Sequence, residues 1–272
     1  MNTLRPFAVV TLAALPGHAH GQLIRVGTSV DAAGLQGIVD QYRNDLGQLN
    51  ANEPGSVGSG RRQIDWDGAP DAFASPNAFA GDFFNRDFSP LARGIEFETP
   101  GTGFEISATA ASGNGVNFAN INPAYEDQFT AFSPERLFTA IGSNITDVSF
   151  FVPGTDQPAT TTGFGAVFSD VDIDGSTFID YFDAAGNLLG RFDAPTGTTD
   201  DGSLSFIGVS FDQPIVASVR IYSGNEALGG LEGNGIDLVV MDDFIFGEPI
   251  PAPGVLALAP AALIATRRRR RA

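Results

Sequence analysis

Any chemistry done by this chain falls to its carboxylates. The sequence holds 32 Asp and Glu but no Cys and no Lys, and its two histidines, His18 and His20, both lie near the N-terminus. Without those groups in the body, a Ser-His-Asp or Cys-His pair, a Schiff-base lysine, a P-loop and a Cys/His zinc site are excluded. The clearest constellation left is Asp170-Val171-Asp172-Ile173-Asp174-Gly175. Alternating carboxylates followed by Gly open a calcium loop, because they converge on one hard cation while Gly permits the turn. The EF-hand pattern then stops, with Phe178 and Tyr181 at the ninth and twelfth positions and Asp180 and Asp183 close by. A looser calcium-stapled turn built on Asp170, Asp172, Asp174 and Asp180 competes with a plain solvated acidic turn.

Two other acidic groups carry weaker signals. Asp65-Trp66-Asp67-Gly68-Ala69-Pro70-Asp71 sets the single Trp between carboxylates. With Asp65 and Asp67 beside it, Trp66 reads either as a sugar-stacking platform or as a plug in a sandwich edge. Glu96 and Glu98 share one face of a strand by the period-two rule, and Glu105 would face them from a paired strand. A glycoside hydrolase needs such a pair at a set separation, but a hairpin's polar outer face explains these residues as well.

The elements that position these residues are mostly strands. Gly 33, Pro 17 and Phe 23 describe a loop-rich, Phe-packed β protein, since Gly and Pro penalise helices. One helix is expected from Asp31, its N-cap, where Leu35, Ile38, Val39, Tyr42, Leu46 and Leu49 recur at helical spacing and Gly47 stands near the end. Residues 50–60, rich in Gly and Ser, read as a linker. Strands are expected at Gly94–Glu98 and Phe104–Ala108, joined as a hairpin through Thr99–Gly103. Further strands are expected at Asp147–Val152, Phe164–Phe168, Thr177–Phe182, Leu188–Phe192, Leu204–Phe211, Ile215–Tyr222 and Ile236–Phe246. Ala184-Ala185-Gly186-Asn187 is a hairpin loop. Short strands at this spacing give an all-β class, a jelly-roll-like β-sandwich with one N-terminal amphipathic helix.

The ends differ from the body. Arg5, the apolar run Phe7–Leu15, Pro16-Gly17 and the small residues Ala19 and Gly21 compose a secretory signal. At the other end come Pro251, Ala252, Pro253 and Gly254, an apolar run Val255–Ala265, and Arg267, Arg268, Arg269, Arg270 and Arg271. The apolar run is about half the ~20 residues of a spanning helix, and the Arg cluster would be held on the cytoplasmic side, as in a transient stop-transfer signal. The order of these three parts resembles the PEP-CTERM sorting signal, recognised by an exosortase. Here Pro251-Ala252-Pro253 stands where that family has Pro-Glu-Pro. The body, at Gly163–Phe168, Phe206–Val209 and Asp242–Gly247, is similar to uncharacterised β-sandwich domains carried by PEP-CTERM proteins. The resemblance implies export and sorting, and a lectin-like shape without a named ligand.

The expected organisation is a signal peptide (1–21), a helix and linker (22–60), a sandwich (61–249) and a sorting signal (250–272). The expected function is that of a non-enzymatic protein exported to the envelope, outer surface or matrix. Extracellular glycan binding is the alternative, and a carboxylate-dependent glycosidase the second. Calcium is the one expected cofactor. The expected partners are the export machinery, an exosortase-type enzyme and an exopolysaccharide or other glycan, with the membrane touched only through the terminal signals. Between the ends, nine Arg face 32 Asp and Glu. Such a field repels phosphate backbones, so nucleic acid is not a partner.

Overall fold

The computed structural model describes residues 21–197 and 201–252. The signal-like start, Pro253, Gly254 and Arg267 to Arg271 lie outside the described residues. Pro251 lies within them, opposite Ala159, and the Ala252 amide donates to the Pro158 carbonyl at 3.2 Å.

The chain opens with β1 (Gln22–Ser29) and turns into α1 (Ala32–Leu46). Asp31 caps α1 as its sequence requires, Oδ1 accepting from the Gly34 amide at 2.8 Å, and Gly47 ends it with a left-handed-side φ of 99°. β2 (Arg61–Ile64) follows the linker. A long irregular segment then leads to β3 (Ile95–Glu98), β4 (Gly103–Ile106), the single turn α2 (Tyr125–Gln128), β5 (Phe138–Ile141) and β6 (Ile145–Phe150). The remainder is β7 (Ala159–Thr160), β8 (Gly163–Ser169), β9 (Phe178–Phe182), β10 (Leu188–Asp193), β11 (Leu204–Phe211), β12 (Ser218–Tyr222), β13 (Val240–Gly247) and β14 (Ile250–Pro251).

Two antiparallel sheets pack face to face as a sandwich. One runs β1-β11-β8-β13-β5-β4 with β2 also on β13, and the other runs β10-β9-β12-β6-β3. Central strands β8, β11 and β13 are buried along their whole length because both of their faces are covered. Phe164, Phe168, Ile207, Val209 and Phe244 point into the sandwich. On the reverse face, Val167, Leu204, Phe206 and Ile245 receive Leu35, Val39, Tyr42 and Leu46 of α1. The helix therefore shields the outer face of the larger sheet, and β1 and α1 belong to the same packed body as the strands.

Two expectations change. The Thr99–Gly103 turn joins no hairpin, since β3 pairs with β6 and β4 with β5, in opposite sheets. Each strand alternates buried and open residues, a pattern that two facing sheets satisfy as well as two neighbouring strands. Phe97 and Phe104 consequently meet across the core, edge to face, with centroids 6.1 Å apart. Gln22–Ser29, assigned by sequence to a helix-and-linker segment, is a full strand of the larger sheet. The β9–β10 hairpin forms as expected, with Asp183 Oδ1 accepting the Ala185 and Asn187 amides at 2.8 and 2.9 Å.

One ion pair is wholly enclosed. Arg62 Nε and Nη2 grip Glu248 Oε2 and Oε1 at 2.7 and 2.9 Å, and neither side chain reaches solvent. Arg62 also donates to the carbonyls of Glu53, Gly55 and Ala92, while Glu248 accepts from the Val57 amide and from Asn50. The linker is thereby sewn to β2 and to the end of β13. Removing one partner strands a buried charge, so Arg62→Met is expected to cost about 3–5 kcal/mol in urea unfolding. The double variant Arg62→Met, Glu248→Leu should recover most of that loss, because no uncompensated charge remains.

Candidate metal centre

The Asp170 turn does not close on itself. Asp170 leaves β8 with φ 75°, a left-handed conformation that a non-Gly residue rarely adopts, and its side chain is fully buried. It meets Asp201, just before β11, and Glu232, in the Gly-rich loop before β13. Ligand oxygens from the three residues all lie within 4.8 Å of one another. Gln128, the last residue of α2, bridges two of them, with Nε2 donating to Asp170 Oδ2 at 3.0 Å and to Glu232 Oε2 at 2.7 Å. The Gly202 amide donates to Asp170 Oδ1 at 3.1 Å and the Leu238 amide to Glu232 Oε1 at 3.1 Å. The Glu232 loop is pinned to α2, as the Tyr125 hydroxyl donates to the Gly230 carbonyl and accepts from the Gly229 amide, both at 2.8 Å.

Burial pushes the Asp170 carboxyl up to about 8, a rise opposed by the Gln128 hydrogen bond and reinforced by Glu232 and Asp172. Burial also raises Glu232. Two acids this close cannot both ionise cheaply. A divalent cation is one way to discharge the group, and this partly buried Asp/Asp/Glu set can hold one.

The expected set of Asp170, Asp172, Asp174 and Asp180 is thus redistributed. Asp172 stands near enough to raise both acids, but Asp174 is exposed and Asp180 is claimed by Arg191 through two bonds of 2.7 Å. A different carboxylate organises the turn itself: Asp237 accepts from the Asp172 and Ile173 amides and from the Ser176 hydroxyl. Asp201, Glu232 and Asp237 come from loops, and Gln128 from α2, all remote from Asp170 in sequence. The only local hint of them is a carboxylate beside Gly, in Asp201-Gly202 and Glu232-Gly233.

Trp66 is not a sugar platform. It is 1% exposed, stacks on Phe138 with ring centroids 4.1 Å apart, and donates Nε1–H to the Asp242 carbonyl at 3.1 Å. Its flanking acids lie near a second buried acidic centre. Asp67 Oδ1 accepts the Arg136 amide at 3.0 Å, while the Ser133 hydroxyl donates to the Asp65 carbonyl. Asp242, beside the register shift in β13, accepts the Phe132 and Ser133 amides at 2.6 and 3.0 Å. Neighbouring Asp243 reaches Arg43 of α1 at 2.6 Å. The carboxylates Glu96 and Glu105 are bonded to Asn85 and Asn120 and stand on opposite sheets, so they face no common bond. Exposed Phe73 and Phe88 instead line an open groove of about 500 Å³ with Phe83, Arg86 and Leu91. Sequence patterning passed over these residues because they lie in irregular loops.

No protein-family model matches the chain, and no curated protein matches it either. Among the described residues, no helix is long and apolar enough to cross a membrane.

Burial raises Asp242 well above the carboxylate range, with Asp243 adding to the rise. Asp243 is pushed up to about 6, chiefly by burial, with Arg43 and Ser133 opposing and Asp65 and Asp67 reinforcing. In an unfolded chain these carboxyls titrate near about 3.9. From about pH 4 upward the folded state therefore holds protons that the unfolded state releases, and stability falls as pH rises through 6. The urea midpoint should fall between pH 4 and 7, and Asp243→Asn should fall less steeply; equal slopes would contradict the assignment.

Proposed function

We propose that this chain is an exported β-sandwich protein of the cell envelope, outer surface or matrix, non-enzymatic, with its far loops tied together by calcium. The observation that carries the reading is the Asp170–Asp201–Glu232 group, whose oxygens converge from three separate loops. All the donors are oxygen, the ligand type that calcium takes. A half-turn of the Gln128 side-chain amide would exchange its two donated bonds for a fourth oxygen ligand. An extracellular module needs only a weak site, of roughly 10⁻⁴ to 10⁻³ M, because the medium supplies the ion.

Export rests on the Arg5–Gly21 signal pattern, and sorting on the PEP-CTERM-like tail read by an exosortase-type enzyme. The lack of Cys, Lys and His in the body removes the commonest nucleophiles and bases. Glycan binding is the second reading, now attached to the Phe73 and Phe88 groove, where exposed rings stand beside the Arg86–Asp82 pair.

Two measurements test the proposal. At a hundredfold excess over its dissociation constant, calcium should stabilise the fold by about 2.7 kcal/mol, raising Tm by about 5 to 10 °C. Magnesium at matched ionic strength should do much less. Asp170→Asn with Glu232→Gln should abolish the difference, whereas Asp174→Asn should keep it; equal shifts from both ions would mean simple screening. For sorting, cells expressing the full chain are fractionated beside cells expressing a form that ends at Ala252. The full chain should be retained in the envelope and the shortened form released, and a shared destination would end the sorting reading.

A further inference from the structure

β1 pairs with β11 along its entire length, from Gln22 opposite Phe211 to Ser29 opposite Leu204, with no bulge. Its other edge has no strand partner among the described residues. Backbone N–H and C=O groups of alternate residues therefore face outward. Sheets protect such an edge with Lys, Pro, a bulge or a projecting charge. β1 uses none of them. Its one charged residue, Arg25, is drawn onto α1 by Asp45, with Nε 2.7 Å from Oδ2.

Side-chain placement adds to the exposure. Ile24 and Val26 lie opposite Val209 and Ile207, so they point to the same side as the sandwich core. The second sheet ends at β10 and does not cover them, leaving Ile24 41% and Val26 48% exposed. The core continues to this edge and stops open.

We propose that β1 is the pairing edge for a second copy of this chain, the two molecules joining β1 to β1, antiparallel, in one continuous sheet. Charge permits a second copy at this place, where Arg25 would face its own copy with each guanidinium held by its own Asp45. Two such acidic bodies repel each other over most of their surfaces, but residues 21–30 contain no Asp or Glu, and Arg25 and Asp45 cancel. The strand is also self-complementary. A two-fold axis normal to the sheet through Arg25 sets Ile24 against Val26 of the second copy twice, and Leu23 against Gly27, with like faces matched. Slipping by two residues sets Val26 against Gln22 or Ile24 against Thr28 and leaves a single apolar pair, Ile24 on Ile24 or Val26 on Val26, where the register through Arg25 has two.

Sedimentation velocity on the exported full chain tests the pairing. A concentration-dependent dimer is expected, tighter at 0.5 M than at about 0.05 M NaCl as repulsion is screened. Val26→Lys should weaken it at least tenfold, and Leu231→Lys, on a remote exposed loop, should leave it unchanged. The register has its own readout, because the chain contains no Cys. Under mild oxidation Arg25→Cys should cross-link to itself faster than Ile24→Cys, since only residue 25 faces its own copy at disulfide distance. A monomer at every concentration, or a dimer indifferent to Val26→Lys, overturns the proposal. Faster cross-linking at position 24 than at 25 overturns it too.

Discussion

The buried pair of Arg62 and Glu248 is the constraint on which the arrangement of this chain depends. A guanidinium and a carboxylate leave water only if nearly every donor and acceptor finds a partner, and here four backbone groups supply them, three from the linker and one from Ala92. Satisfying Arg62 fixes the linker, the irregular run before β3 and the end of β13 at once. With β2 held against β13, Trp66, two residues past its end, is delivered into the centre of the Phe cluster. That ring then contacts Phe79, Phe84, Phe97, Phe138 and Phe244, residues from both sheets and from the loop between β2 and β3. A polar anchor at one position thus places the largest apolar side chain at another.

The acidic composition is handled in two ways. Some carboxylates pair with the few Arg residues across strands or along the helix, as buried Asp180 does with Arg191 and half-buried Asp147 with Arg220. Others, buried Asp170 with half-buried Glu232 and buried Asp242 with Asp243, are held by backbone amides and side-chain donors. Only the first of these groups brings three carboxylates within reach of one ion. The other is closed by Ser133, the Phe132 amide and Arg43, and it works as a structural joint between the sheet and α1.

What the sequence made legible follows the range of the forces involved. α1 carries its cap, its apolar stripe and its terminating Gly within seventeen consecutive residues, from Asp31 to Gly47, and forms where periodicity puts it. The β9–β10 hairpin is equally local, because Asp183 and Gly186 specify the turn without help. The β3–β4 connection is different: alternation fixes which residues of each strand are buried, but not whether the next strand lies beside or across. For the acidic cluster, Asp170 and the neighbourhood of Asp172 were visible in the D-x-D-x-D-G run. Their true companions were not, since Asp201 and Glu232 are brought in by the pairing of β8 with β11 and β13.

That pairing also gives the molecule a direction. β8 begins beside Thr162, whose carbonyl takes the Phe211 amide, and the next amide, Asp212, donates to Gly21. Ala252 leaves the last strand a few residues away, against Pro158. Both junctions to the terminal segments therefore sit at one pole of the sandwich. Asp170, at the far end of the seven-residue β8, sits at the other pole, about 23 Å off at the rise of a strand. A tether attached through the tail would hold the molecule by the first pole and present the second, with its carboxylates and Gly-rich loop, away from the surface that holds it. Traction on that tether would load β14 and its partner β7 before any strand of the main core.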